Sequence, residues 1–296
     1  MSLVVDPRFT DRVRLDEPLS RHTSWHVGGP ADVFFMPRDR ADLVAFLQSL
    51  PRGTPVLWIG LGSNLLVRDG GIRGVVVSTK EALGAIERRG EREVYAEAGA
   101  ACARVARECA KWDLGPAEFL TGIPGTIGGA LAMNAGAFGG ETWNQVASVE
   151  TVDAQGRVRQ RHAAEYRPGY RHVEPPVAGE WFLAALLHFD AGSSAGATKG
   201  LLEKRRATQP IGEWSCGSVF TNPPGDHAAR LIEASGLKGF RIGGAVVSAK
   251  HANFILNEGG ATARDVESLI QHVQREVARA QGVALQPECR IVGEAA

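Results

Sequence analysis

Residues 121–140 read TGIPGTIGGALAMNAGAFGG and are the most unusual part of the chain. Seven of these twenty residues are glycine and none is charged. Ordering a glycine-rich backbone is entropically costly, so a run of this length indicates main chain that packs closely against something else. We therefore expect this segment to help form a ligand site rather than an ordinary surface loop.

A second glycine loop, Gly60-Leu61-Gly62-Ser63-Asn64, directly follows a strand predicted at residues 56–59. Because glycine lacks a Cβ, backbone N–H groups in such a loop can approach a phosphate closely. The loop is neither the dinucleotide fingerprint GxGxxG nor a P-loop, since no GK[ST] follows. A tight turn would explain this loop alone equally well, but two such loops together favour an extended cofactor with a pyrophosphate.

Strands and helices alternate around these loops, which predicts an α+β fold. Asp39 is the expected N-cap of a helix that runs to about Leu50. Gly156 is expected to provide the positive φ of a hairpin turn. The other predicted elements are strands at 74–77, 94–98, 181–189 and 284–292, and helices at 102–112, 201–208, 228–235 and 262–280, the last with a capping box at Thr262 and Asp265.

Composition limits the class of protein. The chain has 296 residues, enough for two or three packed units, and its 33 basic and 33 acidic residues give no net attraction to nucleic acid or membrane. The cysteines, Cys102, Cys109, Cys216 and Cys289, have neither CxxC pairing nor a His partner at metal spacing. No window approaches the roughly 18 apolar residues of a membrane span. We expect a cytoplasmic protein without a metal.

Four polar residues are candidates for chemistry, and each has an ordinary structural alternative. Asn134 could hydrogen-bond a flavin or ribose edge, or satisfy a loop carbonyl. Ser218 precedes an Asn-Pro turn at 222–223 and lacks the GxSxG elbow of hydrolases, so it could simply cap a turn. Arg171 could be a surface charge, and Glu288 a solvated strand residue.

Seven motifs in order carry a family resemblance that covers nearly the whole chain. They are RHTSWHVGGPA at 21–31, GLGSNLLVRDGGIRGVVV at 60–77, GIPGTIGGALAMNAGAFGGE at 122–141, GYR at 169–171, CGSVFTNP at 216–223, GLKGFRIGGAVVSAKHANFILN at 236–257 and LQPECRIVG at 285–293. Together they resemble the UDP-N-acetylenolpyruvoylglucosamine reductase family, in its short type that lacks a substrate-covering insertion.

The resemblance implies an α+β chain with a vanillyl-alcohol-oxidase-type FAD-binding domain in two lobes and a C-terminal α/β substrate-binding domain. We expect the lobes at residues 1–80 and 81–195, and the substrate domain at 196–296. Residues 191–197 are small and uncharged, and their composition predicts a linker at this boundary.

The resemblance also implies residue roles. Arg171 falls on the active-site arginine, Ser218 on the serine proton donor and Glu288 on the catalytic glutamate. Tyr170 and Asn222 fall on substrate-binding positions. The positions implied to bind FAD non-covalently are Gly60, Leu61, Gly62, Ser63, Asn64, Leu65, Gly122, Ile123, Pro124, Gly125, Thr126, Gly128, Gly129, Asn134, Ala135 and Gly136.

Three departures from the family pattern concern these positions. Thr221 stands where a lysine is usual, and the closing LEPEV reads LQPEC here, but both leave the catalytic positions in register. The usual YR-x-S reads Tyr170-Arg171-His172-Val173, which leaves Arg167 as an alternative to Arg171.

The activity implied by the resemblance is reduction of UDP-N-acetylglucosamine enolpyruvate to UDP-N-acetylmuramate for peptidoglycan synthesis, with NADPH as the hydride donor and a monomeric enzyme. Asn222, with basic residues such as Arg205, Arg206 and Lys250, could receive the diphosphate, although only Asn222 rests on a motif and the run at 204–206 could equally be a solvated helix face. Two alternatives stay open. One is a flavin oxidase acting on an alcohol or sugar lactone, with flavin attached at His22 or His26, and the other is a flavoprotein without turnover.

Overall fold

The computed structural model describes residues 5–80, 82–192 and 195–296, and it confirms the α+β class. In this part of the chain the helices are α1 Arg40–Ser49, α2 Cys102–Lys111, α3 Ile127–Met133, α4 Ala195–Thr208, α5 Ala228–Ala234 and α6 Ala263–Gln281. The strands are β1 Val13–Pro18, β2 Pro30–Phe35, β3 Val56–Ile59, β4 Leu65–Val67, β5 Ile72–Ser78, β6 Ile86–Arg89, β7 Glu93–Glu97, β8 Leu114–Gly115, β9 Gly136–Ala137, β10 Gly140–Glu141, β11 Val146–Asp153, β12 Val158–His162, β13 Arg167–Gly169, β14 His172–Glu174, β15 Glu180–His188, β16 Asp190–Ala191, β17 Arg241–Ile242, β18 Ala245–Val247, β19 Ile255–Asn257 and β20 Arg290–Val292.

Larger sheets and short strand pairs build the fold. The largest sheet is antiparallel with the order β12-β11-β15-β7-β6, and a four-stranded sheet has the order β1-β2-β5-β3. A three-stranded antiparallel sheet has the order β17-β18-β19. The short pairs are β8 with β16, β9 with β10, β13 with β14, and the parallel pair β4 with β20.

The chain divides into two compact units. Unit 1 comprises Met1–Leu15, Val33–Leu61 and Gly74–Glu203, and unit 2 comprises Asp16–Asp32, Gly62–Arg73 and Lys204–Ala296. Unit 1 contains two hydrophobic clusters, one around α1 with Phe35 stacked on Phe46, the other between the five-stranded sheet, α2 and α3. Unit 2 has its main cluster between α5, α6 and its three-stranded sheet.

Local sequence signals account for the helix ends. The Asp39 carboxylate accepts a hydrogen bond from the Asp42 N–H, as an N-cap should. Thr262 and Asp265 form the predicted capping box of α6, and Gly282 ends that helix in the left-handed conformation. Gly156 has the positive φ of 71° expected for its hairpin turn. These predictions are confirmed.

Two predicted elements are wrong in extent. The closing strand covers only β20, because Pro287 has no N–H to donate to a ladder and residues 284–289 instead form an irregular segment with one bridge to Phe220. Helix α4 begins at Ala195, inside the predicted linker. Alanine is common in linkers because it is small, but it also has the highest helix propensity. Residues 193 and 194 of that linker lie outside the described residues.

Candidate active site

The first glycine loop meets the second inside unit 1. A Cβ added to Gly60 would lie 2.4 Å from Oγ1 of Thr126, a buried residue just before α3. Real Cβ atoms do not approach other atoms this closely, so a larger residue at position 60 would push the two segments apart. Glycine is therefore required here by the protein's own packing.

Gly62 is required for two reasons in unit 2. Its φ is 61°, a left-handed value that glycine adopts without strain, and an added Cβ would lie 2.0 Å from the carbonyl oxygen of His22. The carbonyl oxygen of Gly62 accepts a hydrogen bond of 3.3 Å from the Ser24 N–H. The segment containing Ser24 thus lies directly against the glycine loop.

The loop fits a phosphate-bearing cofactor such as FAD. Among the described residues, no protein acceptor receives the N–H groups of Leu61, Gly62, Ser63 or Asn64. The buried Oγ of Ser24 likewise makes no hydrogen bond to a described group. Anionic phosphate oxygens would accept hydrogen bonds from such a cluster of donors that lacks protein acceptors. Sequence reasoning missed Ser24, since nothing in its motif distinguishes its hydroxyl from an ordinary one.

Glycines of the second tract have different roles. An added Cβ on Gly122 would lie 2.4 Å from the Cβ of Ala137, and one on Gly128 3.0 Å from the Cβ of Ala98, so these two are needed for packing. Gly129 is exposed, and the nearest atom to an added Cβ is 3.9 Å away. Of these three glycines, Gly129 alone leaves open space that a ligand could use.

The side chain of Asn134 is fully used within unit 1. Its Nδ2 donates to Oε2 of Glu141 and to the Gly169 carbonyl, each at 3.0 Å, and its Oδ1 accepts from the Trp143 N–H at 3.1 Å. Asn134 is 2% exposed. This is the structural alternative stated above, a buried asparagine that satisfies a loop carbonyl, so a cofactor contact by Asn134 is left to its main chain.

Arg171 lies at the second position of the two-residue turn between β13 and β14, with a positive φ of 57°. Its Nη2 donates to the Gly136 carbonyl at 2.9 Å, and its guanidinium lies 5.1 Å from the centre of the Tyr170 ring. Arg167, the alternative, has a side chain 83% exposed and pairs with Glu174 at 3.5 Å. The structure therefore distinguishes a half-buried, anchored Arg171 from a solvated Arg167.

Asn253 anchors the segment that carries Ser218 in unit 2. Its main-chain oxygen accepts from the Val219 N–H, and its side-chain amide exchanges two hydrogen bonds with the backbone of Phe220, at 2.9 and 2.8 Å. Gly217 just before Ser218 has a positive φ of 82°. Asn253 lies in the motif at 236–257, but that motif does not predict its bonds to Phe220, which is 33 residues away.

The same arrangement brings Glu288 to the Ser218 segment. The Glu288 N–H donates to the Val219 carbonyl at 2.7 Å, and Nδ2 of Asn64 donates to the Glu288 carbonyl at 3.1 Å. Asn64, through its side-chain amide, and the segment of Ser218, through Val219, are therefore both joined to the main chain of Glu288 within unit 2. No hydrogen bond is recorded for the Ser218 hydroxyl among the described residues.

The predicted substrate-binding residues have mixed surroundings. Tyr170 is 52% exposed in unit 1. Oδ1 of Asn222 accepts from the Ala228 N–H at 3.0 Å, where α5 begins, so half of its amide supports the fold. Burial lowers the pKa of Arg205, whose Nε donates to Gln209, and Nζ of Lys250 donates to the Arg206 carbonyl.

Both histidines considered for flavin attachment have partners in unit 2. Nε2 of His22 lies 2.8 Å from Oε1 of Glu17. The His26 ring lies 4.5 Å from that of Trp214, measured between ring centres.

Comparisons with known proteins agree with these features. Residues 31–161 match the family model described as an FAD binding domain. Residues 209–292 match the model of the UDP-N-acetylenolpyruvoylglucosamine reductase C-terminal domain. These two matches and the donor-rich glycine loop define the chain as an FAD-binding oxidoreductase.

Whole-chain relatives specify the family. UDP-N-acetylenolpyruvoylglucosamine reductases of Alkalilimnicola ehrlichii and Methylococcus capsulatus are each 60% identical, over 94% of this chain and 94% and 92% of their own lengths. The crystal structure of the Thermus caldophilus enzyme of that name matches with a TM-score of 0.80 and 31% identity, over 98% of this chain and 99% of the other. The chain belongs to the UDP-N-acetylenolpyruvoylglucosamine reductase family, which confirms the resemblance found in its motifs.

Among the described helices, none combines the length and apolar character of a transmembrane span.

Proposed function

We propose that this enzyme reduces the enolpyruvyl double bond of UDP-N-acetylglucosamine enolpyruvate to give UDP-N-acetylmuramate, with NADPH as hydride donor, in peptidoglycan precursor synthesis. The observation that carries the proposal is the pair of hydrogen bonds that joins Asn64 and the Ser218 segment to the main chain of Glu288 in unit 2. These bonds connect the glycine loop, which is suited to a phosphate-bearing cofactor, with Ser218 and Glu288, which are suited to proton transfer. The identity to reductases of that name supports the choice of substrate.

FAD, when bound, supplies the hydride transfer from NADPH to the substrate. The donor N–H groups of residues 61–64 and the Ser24 hydroxyl would hold its pyrophosphate. The other residues proposed to contact it are Gly60, Leu65, Gly122, Ile123, Pro124, Gly125, Thr126, Gly128, Gly129, Ala135, Gly136 and the main chain of Asn134. The contact is non-covalent, consistent with His22 and His26 being engaged by Glu17 and Trp214.

Arg171 is proposed to bind the substrate carboxylate. Addition of hydride at the β-carbon leaves negative charge on the α-carbon, which is conjugated with that carboxylate. A guanidinium forms charge-assisted, two-pronged hydrogen bonds to a carboxylate and stabilises the charge as it develops. Its half-buried position favours it over the solvated Arg167 for this role.

Ser218 is proposed to donate the proton that completes the reduction. Its hydroxyl is a weak acid, but the carbanion it protonates is a strong base, so the transfer is favourable. Glu288 is proposed to be protonated or to polarise the same carboxylate, because an ionised Glu288 there would repel the developing charge. Its main-chain bond to Val219 keeps it with the Ser218 segment.

Substrate contacts are assigned to Tyr170 and to the free half of the Asn222 amide. The diphosphate is proposed to meet basic groups of unit 2, among them Arg205, Arg206 and Lys250. Arg205 is half-buried, and this burial lowers its pKa. Its half-buried position favours a binding role over a purely solvated helix face.

We also propose three domains: two FAD-binding lobes at residues 1–80 and 81–195 and a substrate domain at 196–296. The match of residues 209–292 to the C-terminal domain model supports the third domain. The main cluster of unit 2 also contains Trp25, Val27 and Leu66, so segments of the first lobe belong to that unit. The enzyme is proposed to act as a monomer in the cytoplasm, which sedimentation and cell fractionation test.

Steady-state turnover tests the proposal. Purified protein should release free FAD on denaturation and oxidise NADPH only when UDP-N-acetylglucosamine enolpyruvate is present, giving a product heavier by two hydrogens. NADPH oxidation that needs oxygen and ignores the substrate would instead support an oxidase. Absence of FAD from the purified protein would contradict the proposal.

A further inference from the structure

We propose that Asn134 is a positioning residue for Arg171, holding the guanidinium where the substrate carboxylate binds. The inference rests on the role proposed above for Arg171. It assigns the buried amide of Asn134 to the carboxylate-binding arginine rather than to the cofactor.

Arg171 has a backbone that needs support. Its φ of 57° at the second turn position is one that glycine and asparagine adopt easily and that a long side chain adopts at a cost. Conformations of this kind persist only where surrounding contacts over-determine them. The contacts that restrain this turn therefore decide where the guanidinium lies.

Asn134 restrains the turn from the end of α3. Its Nδ2 donates to the carbonyl of Gly169, the residue that pairs with His172 to close the turn. Asn134 itself has a left-handed φ of 43°. Its side-chain amide therefore links its own left-handed backbone to the turn that contains the left-handed Arg171. Removing the amide would release the Gly169 carbonyl and with it the restraint on Arg171.

The amide of Asn134 has one workable orientation. Glu141 and Gly169 present oxygen acceptors to its Nδ2, and the Trp143 N–H presents a donor to its Oδ1. Rotating the amide by half a turn would put oxygen against oxygen twice and a donor against a donor. A 2% exposed amide in this network cannot exchange its partners for water.

The guanidinium is fixed by the same segment. Nη2 of Arg171 donates to the carbonyl of Gly136, two residues after Asn134. Gly136 pairs with Glu141, and a Cβ added to Gly136 would lie 3.3 Å from Nη1 of Arg171. Residues 134–141 thus hold Arg171 at both ends, the backbone through Asn134 and the guanidinium through Gly136.

A double-mutant cycle between Asn134→Gly and Arg171→Ala tests the inference. Glycine tolerates the left-handed backbone of position 134, so this change removes the amide without adding strain. In anaerobic mixing, we expect Asn134→Gly to slow substrate-dependent recovery of the flavin absorbance about 10-fold, a coupling ordinary for residues in one hydrogen-bond network. In the Arg171→Ala background it should have almost no further effect. Because glycine keeps the main-chain groups of position 134 that are proposed to contact FAD, the amount of FAD retained and the rate of bleaching by NADPH should match wild type.

Asn144→Gly is the matched control, since Asn144 is an exposed asparagine in the same part of unit 1. It should leave every rate unchanged. If Asn134→Gly is too unstable to assay, Asn134→Asp enters the same cycle: it keeps the volume and the acceptor for Trp143 but sets a carboxylate against the Glu141 carboxylate and the Gly169 carbonyl, so its loss should exceed that of glycine.

The outcomes separate this inference from the proposed function. Equal slowing by Asn134→Gly with and without Arg171 would overturn the positioning role. Loss of FAD or slower bleaching would also overturn it and assign the side chain of Asn134 to the cofactor site. Unchanged recovery in Arg171→Ala alone would instead contradict the role proposed for Arg171.

Discussion

The turn carrying Arg171 in unit 1 and the segment carrying Ser218 in unit 2 are restrained in different ways. At Arg171 both the backbone and the guanidinium are held, by contacts from residues 134–141. At Ser218 only the backbone is held, through Asn253 and the Glu288 N–H, and no partner of the hydroxyl is recorded among the described residues. The difference matches the proposed chemistry, because a group that binds charge must stay in place and a hydroxyl that gives up a proton must be free to reach its acceptor.

A buried asparagine supports each of these two segments. Asn134 and Asn253 are 2% and 4% exposed, and each bonds main-chain groups distant in sequence. An amide can both donate and accept, so it can join irregular backbone that helices and sheets leave unpaired. Substitutions at Asn134 and Asn253 therefore test how each segment is restrained without altering a catalytic group.

The largest expected effect is that of Ser218→Ala. Loss of a general acid should slow substrate-dependent recovery of the flavin absorbance about 10³-fold, while bleaching by NADPH stays the same. Ser235→Ala is the control, because the Ser235 hydroxyl already donates to the Leu231 carbonyl at the end of α5. Unchanged recovery in Ser218→Ala would remove the serine from the mechanism.

Arg171→Ala should have the next largest effect. Removing one charged stabiliser of a developing anion costs about 10²-fold in rate, again confined to the substrate step. Arg167→Ala serves as the comparison, and its exposed ion pair with Glu174 should contribute almost nothing. The reverse result, a large loss for Arg167 and none for Arg171, would transfer the assignment to Arg167.

Asn253→Ala should have the smallest effect on rate and a clear effect on stability. Leaving the buried N–H and carbonyl of Phe220 without partners should lower the free energy of unfolding by about 2 kcal/mol, measured by urea denaturation. The folded protein should also recover its flavin absorbance several-fold more slowly, because the Ser218 segment loosens.

Asn257→Ala provides the comparison for that result. The amide of the buried Asn257 also bonds main chain in unit 2, at the buried Trp25 and at the more exposed Gly259 and Ala261. It should lower stability by a similar amount without slowing the substrate step. If both variants slow that step equally, the Ser218 segment depends on the general stability of unit 2 rather than on Asn253.

Features that depend on neighbours in sequence were predictable. The N-cap at Asp39, the capping box at Thr262 and Asp265 and the hairpin glycine at 156 each act within a few residues and are confirmed. The closing strand is shorter than its apolar pattern predicts because Pro287 cannot donate to a ladder, and α4 extends into the predicted linker because alanine suits both helix and linker.

Features that depend on distant partners were not predictable from one sequence. The packing of Gly60 against Thr126 and the bond from Asn253 to Phe220 join segments that only the fold brings together. The motifs identified the family and the candidate residues, but the hydrogen bonds of Asn134 and the unbonded hydroxyl of Ser24 required the structure.

The most direct test of the account is an anaerobic visible spectrum of the purified protein, first with NADPH and then with UDP-N-acetylglucosamine enolpyruvate. The account predicts that NADPH bleaches the flavin band near about 450 nm and that the substrate alone restores it. Bleaching that only oxygen reverses, or a protein without flavin absorbance, would contradict the central claim.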